Sequence, residues 1–470
     1  MKRQLFFISV VLLQTAYCIL STICCAQSIG GGETYSLAIC SDSTVQGWGI
    51  NDYGQLGDGS NTGSNVPVSV NSLTGITAIA GGGFHSLALR NDSTVWAWGY
   101  NYYGELGNGT NTDSSVPVQV NALTSIIAIA GGYEYSLALR KDSTVWAWGR
   151  NAEGQLGNGT NTGSNVPVQV SSLTGIIAIA SGSRHSFALQ NDGTVWAWGS
   201  NWAGQLGNGN NTDSNVPVQV SGLTGIVAIA GGQYHSVALK NDGTVSTWGD
   251  NFWSELGNGT NTSSNVPVQV VSLTGVIAIA GEYAHSIAIR NDSTVWAWGS
   301  GGAGELGNGT NTDSNVPVQV SGLTGISAIS GGKEFSLALK NDGTMWAWGW
   351  NDSGQLGNGT NTDSNVPIQV TGLCDNATSI TKIEEALSIS VFPNPTSGNS
   401  FINYSLSTPA TVSIDLYDVL GNKLQQLVNA KQEQGEHNTT LDARKLTNGV
   451  YVLQIRAGEQ MAEQKVVVMN

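Results

Sequence analysis

The sequence predicts an all-β chain, a seven-bladed β-propeller followed by a small β-sandwich, and three observations lead there. Trp-Gly pairs stand at Trp48, Trp98, Trp148, Trp198, Trp248, Trp298 and Trp348, a fixed step of 50 residues. Val-Pro pairs keep the same step from Val66-Pro67 to Val366-Pro367. Between them, each unit carries four short β-type runs and no helical period. A repeat of 20–50 residues marks units that cannot bury their apolar faces without a neighbour. Four antiparallel strands per unit, seven times over, select a ring of small sheets.

Within the unit from Val66 to Gly99 the runs are VPVSV, GITAIAGG, HSLALR and TVWAWG. They are β-branched or aromatic and are separated by Gly, Asn, Asp and Ser, which is strand and turn chemistry. Asn191-Asp192-Gly193, Asn241-Asp242-Gly243 and Asn341-Asp342-Gly343 join the last two runs of their units, since Asn and Gly tolerate the positive φ of a tight hairpin.

In chain order, Lys2 and Arg3 precede an apolar run from Leu5 to Leu13, and Ala26 ends a small-residue stretch. This predicts a signal peptide over 1–26. Gln14, Thr15 and Ser21 interrupt the run and weaken a transmembrane reading, while Cys24 and Cys25 leave a lipoprotein signal as an alternative. The propeller is expected over 27–374. Ser28-Ile29-Gly30-Gly31 aligns with Ala78-Ile79-Ala80-Gly81, and the last unit stops at Leu373. The seventh blade is therefore expected to join the run ending at Leu373 to Ser28–Gly49, closing the ring by pairing of N- and C-terminal repeat halves.

Two cysteines remain after the signal, Cys40 and Cys374, and a shift of seven units puts them in one blade. Cys40 fills a slot otherwise held by Arg90, Arg140, Gln190, Lys240, Arg290 and Lys340. A disulfide clasping the ring is the expectation, with two free thiols as the alternative; export permits the bond.

Charged residues make up only 11% of the chain, with a net charge of −15. Such a surface repels phosphate backbones, so no nucleic-acid partner is expected.

What all units share is scaffold: the Trp-Gly tryptophans, and Trp96, Trp146, Trp196, Trp296 and Trp346 two residues earlier, are expected to pack between blades. Where units differ, aromatic residues gather. If strands alternate in direction, the turn at Gly81–His85 and the loop after Gly99 emerge on one face. The expected binding face comprises Tyr53, Phe84, Tyr100, Tyr102, Tyr103, Tyr133, Tyr135, Arg150, Arg184, Trp202, Tyr234, Phe252, Trp253, Tyr283, Phe335 and Trp350. Tyr, Trp and Arg are enriched at binding hot spots, whereas unconstrained drift on a soluble surface favours Ser, Asn, Asp and Lys. The opposite face is expected to be nearly uniform.

Chemistry is harder to place. His85, His185, His235 and His285 share a slot with Tyr35, Tyr135 and Phe335, which suits packing and not a metal ring. The LGNG segments precede no GK[ST] and open no helix, so they are not phosphate loops. Runs such as Asn311-Thr312-Asp313 lack the spacing of a calcium loop, and turn chemistry accounts for them. Glu105, Glu255 and Glu305 replace a Gln without an identifiable paired carboxylate, and no nucleophile stands beside a base. No catalytic residue, metal or cofactor is expected, and the chain is read as not an enzyme.

The G-Q-L-G-x-G, V-P-x-x-V, GG-x-x-H-S and W-G signatures resemble the regulator of chromosome condensation family of seven-bladed propellers, over Ser28 to Leu373. After a linker expected at 375–387, residues 388–470 read as alternating strands and turns of a small sandwich. Pro393-Asn394-Pro395, Asp415-Leu416-Tyr417-Asp418, Gly421, Leu446, Gly449-Val450-Tyr451 and Lys465-Val466-Val467-Val468 resemble the C-terminal sorting domain of the type IX secretion system of the Bacteroidota. That resemblance implies passage across both membranes to the medium or the outer-membrane surface, with the secretion machinery as one partner. The expected function is a monomeric, non-enzymatic module recognising an extracellular protein through the aromatic face. Glycan adhesion, a propeller hydrolase or lyase, and a structural spacer are the alternatives.

Overall fold

The computed structural model describes residues 26–374, and residues 389–468 apart from 393, 395, 407, 419–421, 458 and 459. The expected signal peptide and linker lie outside the described residues, save Ala26, which opens the first strand. The described residues are all-β apart from one 3-10 turn at Ala443–Lys445 and fall into two compact units, divided between Asn376 and Ala377.

In the first unit, β1 (Ala26–Gly31), β2 (Tyr35–Cys40), β3 (Val45–Gly49) and β4 (Ser64–Ser69) form one antiparallel sheet in that order, and six further four-stranded sheets repeat it. β2 is buried along its whole length because it is flanked by strands within its sheet and by sheets on both faces. The turn from β2 to β3 holds Ser43 at φ 62, and Gly193 takes the equivalent place at φ 87, so the NDS and NDG turns supply the left-handed residue this connection requires. β4 is the edge strand. Its Pro67 has no N–H to offer, which blunts an exposed edge against pairing with another chain.

Sheets are joined by side chains. Each Trp-Gly tryptophan is 0% exposed, and its Nε1 donates to a main-chain carbonyl in the preceding unit: Trp98 to Gln55 at 2.8 Å, Trp148 to Glu105 at 2.6 Å, Trp198 to Gln155 at 2.9 Å. Ser86 Oγ donates to the same Gln55 carbonyl at 2.8 Å. Burying a tryptophan contributes on the order of 5 kcal/mol of transfer free energy. The second tryptophan series behaves differently. Trp96, Trp146, Trp296 and Trp346 are only half-buried and lie beneath Arg90, Arg140, Arg290 and Lys340, with cation-to-ring distances from 4.4 to 5.7 Å. This series still packs against the cores shared by neighbouring sheets, as Trp96, Trp146, Trp196, Trp296 and Trp346 all do, and in four of these units the long cation of the neighbouring strand covers the part of the indole left open.

The expected exchange of strands between the chain ends does not occur. β3 pairs with β4 through Gln46↔Ser69, and the last sheet closes on itself through Trp346↔Gln369, so every sheet consists of four consecutive strands. The Val-Pro run after each Trp-Gly pair folds back on its own strand, so the chain enters in phase, at the start of a sheet. The first and last sheets meet as any two neighbours do. Trp48 Nε1 and Ser36 Oγ both donate to the Gln355 carbonyl, at 2.9 and 2.8 Å, and Phe335, Leu337 and Met345 share a core with Ala38 and Trp48.

A disulfide joins Cys40 to Cys374 across 334 residues of chain, with Cα atoms 5.4 Å apart. Cys40 takes the slot of the cation and Gln46 that of its tryptophan, and Gln46 Oε1 accepts from Cys374 N at 2.6 Å.

In the second unit, a three-stranded sheet (Ile389–Phe392, Asn399–Leu406, Gly435–Asp442) and a four-stranded sheet (Lys423–Gln432, Ala410–Asp418, Gly449–Ala457, Gln460–Val468) share one core. Ile402, Tyr404, Leu416, Leu441, Leu453 and Ile455 form its centre. Along Asn399–Leu406 exposed and buried residues alternate strictly, the pattern of a sheet with one wet face.

Closing so long a loop constrains the unfolded chain by on the order of 5 kcal/mol in the chain-entropy treatment. Cys374→Ser is expected to lower the Tm of the oxidised protein and to leave nothing further for a reductant to remove, as read by differential scanning calorimetry with and without reductant. An unchanged Tm would mean that side-chain bonds alone hold the seam.

Candidate binding face

The loops that follow the Trp-Gly pairs are built to hold still. Asn101 is 0% exposed; its Oδ1 accepts from Leu106 N at 2.9 Å, and its Nδ2 donates to the carbonyls of Thr110 and Thr112 at 3.1 and 2.9 Å. Asp113 Oδ1 accepts from Asn101 N at 2.8 Å, and Asn111 Nδ2 donates to Tyr102 O at 2.8 Å. Asn151, Asn201, Asn251 and Asn351 repeat the two Nδ2 bonds in their units. The Asn-Thr-Asp runs are therefore the frame of the loop. Two successive positions of this loop vary between units; the first, at residues 52, 102, 152, 202, 252, 302 and 352, is exposed in every unit, while the second ranges from exposed Trp253 to buried Ala203.

The turn before β2 and its equivalents meets this loop directly: Tyr100 N donates to Phe84 O at 2.9 Å. Tyr53 lies 5.6 Å from Phe84 and 4.8 Å from Tyr100, ring centre to ring centre, and Phe84 lies 5.6 Å from Tyr133. Tyr100, Tyr102 and Tyr103 continue the contact at 6.4 and 4.9 Å, and Arg150 closes over Tyr103 at 5.5 Å. Further round, Trp202 meets Tyr234 at 4.8 Å, Phe252 meets Trp253 at 4.9 Å, and Lys333 lies between Tyr283 at 5.3 Å and Trp350 at 5.7 Å. The most open are Phe252 (69%), Tyr102 (65%), Trp202 (57%), Trp253 (48%) and Tyr53 (37%).

Some expected members do not lie on the surface. Tyr135 and Phe335 are 0% exposed. They occupy the slot of His85, His185, His235 and His285, which is an inter-sheet bolt: Tyr135 OH donates to His185 O, and the imidazoles meet Ser136, Ser236, Ser286 and Ser336 of the following units at 2.8 to 3.3 Å. Burial pushes each of these imidazoles down to about 3. Arg150 is largely covered and bonded to Glu134 at 2.6 Å and Glu153 at 2.9 Å, and Glu153 also receives Arg184 at 3.4 Å. Arg150 therefore braces the face more than it presents to a partner.

Other features escaped the sequence reading. The first strands of all seven sheets line a cavity of about 360 Å³, and at the end nearest the aromatic loops stand Glu33, Tyr133, Tyr283 and Lys333. Lys333 Nζ lies 3.7 Å from Glu33, and Tyr133 donates a hydrogen bond to the same carboxylate, which burial pushes up despite both. The signal was present in Glu282, which takes a slot held by Gly32, Gly82, Gly132, Gly182, Gly232 and Gly332. At the other end of these strands Ile127, Ile177 and Ile277 are 51 to 58% exposed, so the face expected to be uniform carries an apolar arc.

Residues 77–392 match the family described as the RCC1-like domain, 42–89 match the regulator of chromosome condensation (RCC1) repeat, and 390–469 match the secretion system C-terminal sorting domain. Among curated proteins, the human and mouse E3 ubiquitin-protein ligase HERC2 are each 45% identical over 47 residues, 10% of this chain and 1% of theirs. Human WBSCR16 superposes with a TM-score of 0.64 at 25% identity, over 70% of this chain and 94% of its own. Prp20p of Saccharomyces cerevisiae, in a structure whose description speaks of binding to Gsp1p and histones, superposes with a TM-score of 0.63 at 24% identity, over 76% and 88%. The C-terminal match marks the chain for export by type IX secretion to the cell surface or beyond.

Burial pushes Glu105 up to about 8 and Glu255 up to about 7, where Gln stands in other units. A carboxyl raised on folding is favoured below its unfolded value and penalised as pH climbs towards its folded one, at about 1.4 kcal/mol per unit before screening. Glu105→Gln is therefore expected to raise Tm by a few degrees at pH 8 and hardly at all at pH 4.5. Thermal scans at the two pH values decide it, and an equal gain at both would remove the titration argument.

Proposed function

Because the chain belongs to the RCC1-like domain family and ends in a secretion sorting domain, we propose that it is an exported, non-enzymatic binding module recognising a protein through its aromatic face. Its first unit reads as a closed seven-bladed propeller, supported by the seven sheets and by the Trp48 bond from first sheet to last. Its second reads as a small β-sandwich delivering the first to the type IX machinery, with signal peptide 1–26, propeller 27–374 and sorting domain 388–470 as its parts.

The observation that carries the reading is the joining of variable aromatic residues from adjacent units into ring contacts on loops that buried asparagines hold fixed. Preordered loops lose little entropy on binding, and exposed Tyr and Trp are the anchors expected at a hot spot. The acidic balance favours a partner with a basic surface and disfavours nucleic acid. A second reading, glycan adhesion, draws on Trp202 and Trp253, whose open rings offer stacking faces. Against a hydrolase or lyase, the histidine–serine pairs are 0% exposed between sheets, out of a substrate's reach, and a spacer role leaves the clustering of aromatics unexplained.

The test uses the full chain and a variant carrying Tyr102→Ala, Trp202→Ala and Trp253→Ala, all surface positions whose loss should cost less than about 1 kcal/mol of stability each. An extracellular protein retained by the wild type and lost at least tenfold by the variant is the expected result. Retention by both would dismiss the face, and glycan-array binding lost in the variant would establish the second reading.

A further inference from the structure

Around the end of the cavity nearest the aromatic loops runs a collar of main-chain hydrogen bonds. Glu33 N donates to Gly83 O at 3.3 Å, Gly83 N to Tyr133 O at 3.1 Å, Tyr133 N to Ser183 O at 3.0 Å, Ser183 N to Gly232 O at 3.2 Å, Gln233 N to Tyr283 O at 3.0 Å, and Lys333 N to Glu33 O at 2.8 Å. Glycines make this approach possible: a Cβ on Gly31 would lie 1.9 Å from Gly331 O, and one on Gly332 1.9 Å from Gly32 O. Among the described residues the collar has one break, between Tyr283 and the turn at 331–333.

Glu282 stands at that break. It is 8% exposed and lines the cavity, with its Cδ 3.0 Å from where a Cβ on Gly331 would lie. Among the described residues its carboxyl has no ion-pair or hydrogen-bond partner, since the nearby Lys333 turns to Glu33, Tyr283 and Trp350. Burial accordingly holds the carboxyl well above the usual range. Beside it, Glu33 Oε2 is buried without a partner. Ile29, Ile79, Ile129, Ile179, Ile229 and Ile279 line the cavity in one layer, among glycine main chain and Ser181, Ser183 and Ser330. An unpaired buried carboxyl destabilises its surroundings, and the other sheets manage with glycine in its place.

We propose that this cavity binds an extended primary ammonium, a free alkylamine or a lysine side chain, which sets its nitrogen against Glu282 at the break in the collar and its methylenes along the isoleucines. An ammonium has three N–H donors and no acceptor, matching carboxyl oxygens that lack donors, and the layer of isoleucines suits the carbon stem. The lysine source rests on the binding face having a protein partner; the amine site itself does not.

The experiment titrates the full chain with n-butylammonium by isothermal calorimetry, with n-butanol as the uncharged control and the peptide acetyl-Gly-Gly-Lys-Gly-Gly-amide as the second arm. Saturable binding of butylammonium and none of butanol is expected. Glu282→Gln and Glu282→Gly should each weaken it at least tenfold, the latter being the residue six other sheets fold with. Lys333→Met, which removes a like charge at the mouth, should tighten it several-fold. Peptide binding that is equally sensitive to Glu282→Gly assigns a lysine source, and binding of the amine alone assigns a free amine. Absence of saturable binding, or equal affinity in Glu282→Gly, overturns the proposal. The variant trimmed at Tyr102, Trp202 and Trp253 should bind butylammonium as the wild type does, so failure of the face and failure of the cavity remain separate results.

Discussion

The first unit depends on one contact made seven times: an indole N–H buried between two sheets and donated to a main-chain carbonyl of the sheet before. An unbonded indole at 0% exposure would be costly, so the position of that carbonyl is constrained wherever a tryptophan is buried. The carbonyl belongs to the Gln or Glu of the G-Q-L-G motif, and the glycine that follows it leaves no room for a side chain: a Cβ on Gly57 would lie 2.8 Å from Trp98 Nε1. Because the bond uses the main chain, the side chain at that place can be Gln55 or Glu105 without loss of the joint.

The same motif starts the display loop, so the joint between sheets and the stiffness of the binding face have one origin. Asn101 reaches from the loop's beginning to Leu106 just beyond the joint, and from there to Thr110 and Thr112 on the return. Side chains outside this lattice of bonds change freely between units, and that is where Tyr102, Trp202 and Phe252 appear.

Much of this was legible. Strand type and number, the shared tryptophans and the face on which units differ all follow from the 50-residue step and its turn residues. Two things did not. A periodic sequence sets the length of the repeat but not its phase: Ser28–Gly49 and the run ending at Leu373 look complementary on paper, yet local hairpin pairing of Gln46 with Ser69 decides that each sheet is whole. Direction within a slot is equally hidden. Tyr133 and Tyr135 are the same residue type two places apart, but Tyr133 opens on the cavity mouth while Tyr135 is turned inward to bolt the next sheet. Glu282 was visible as a departure from glycine, and its meaning required knowing that the glycines form a collar.

Since every sheet of the first unit comprises four consecutive strands and every joint in it carries the same indole-to-carbonyl bond, an internal unit can replace another without a new kind of seam being needed. Recombination between the near-identical stretches of coding sequence would then shuffle loop tips as cassettes. Exchange of parts would change several side chains of the face at once, with the joints between sheets kept.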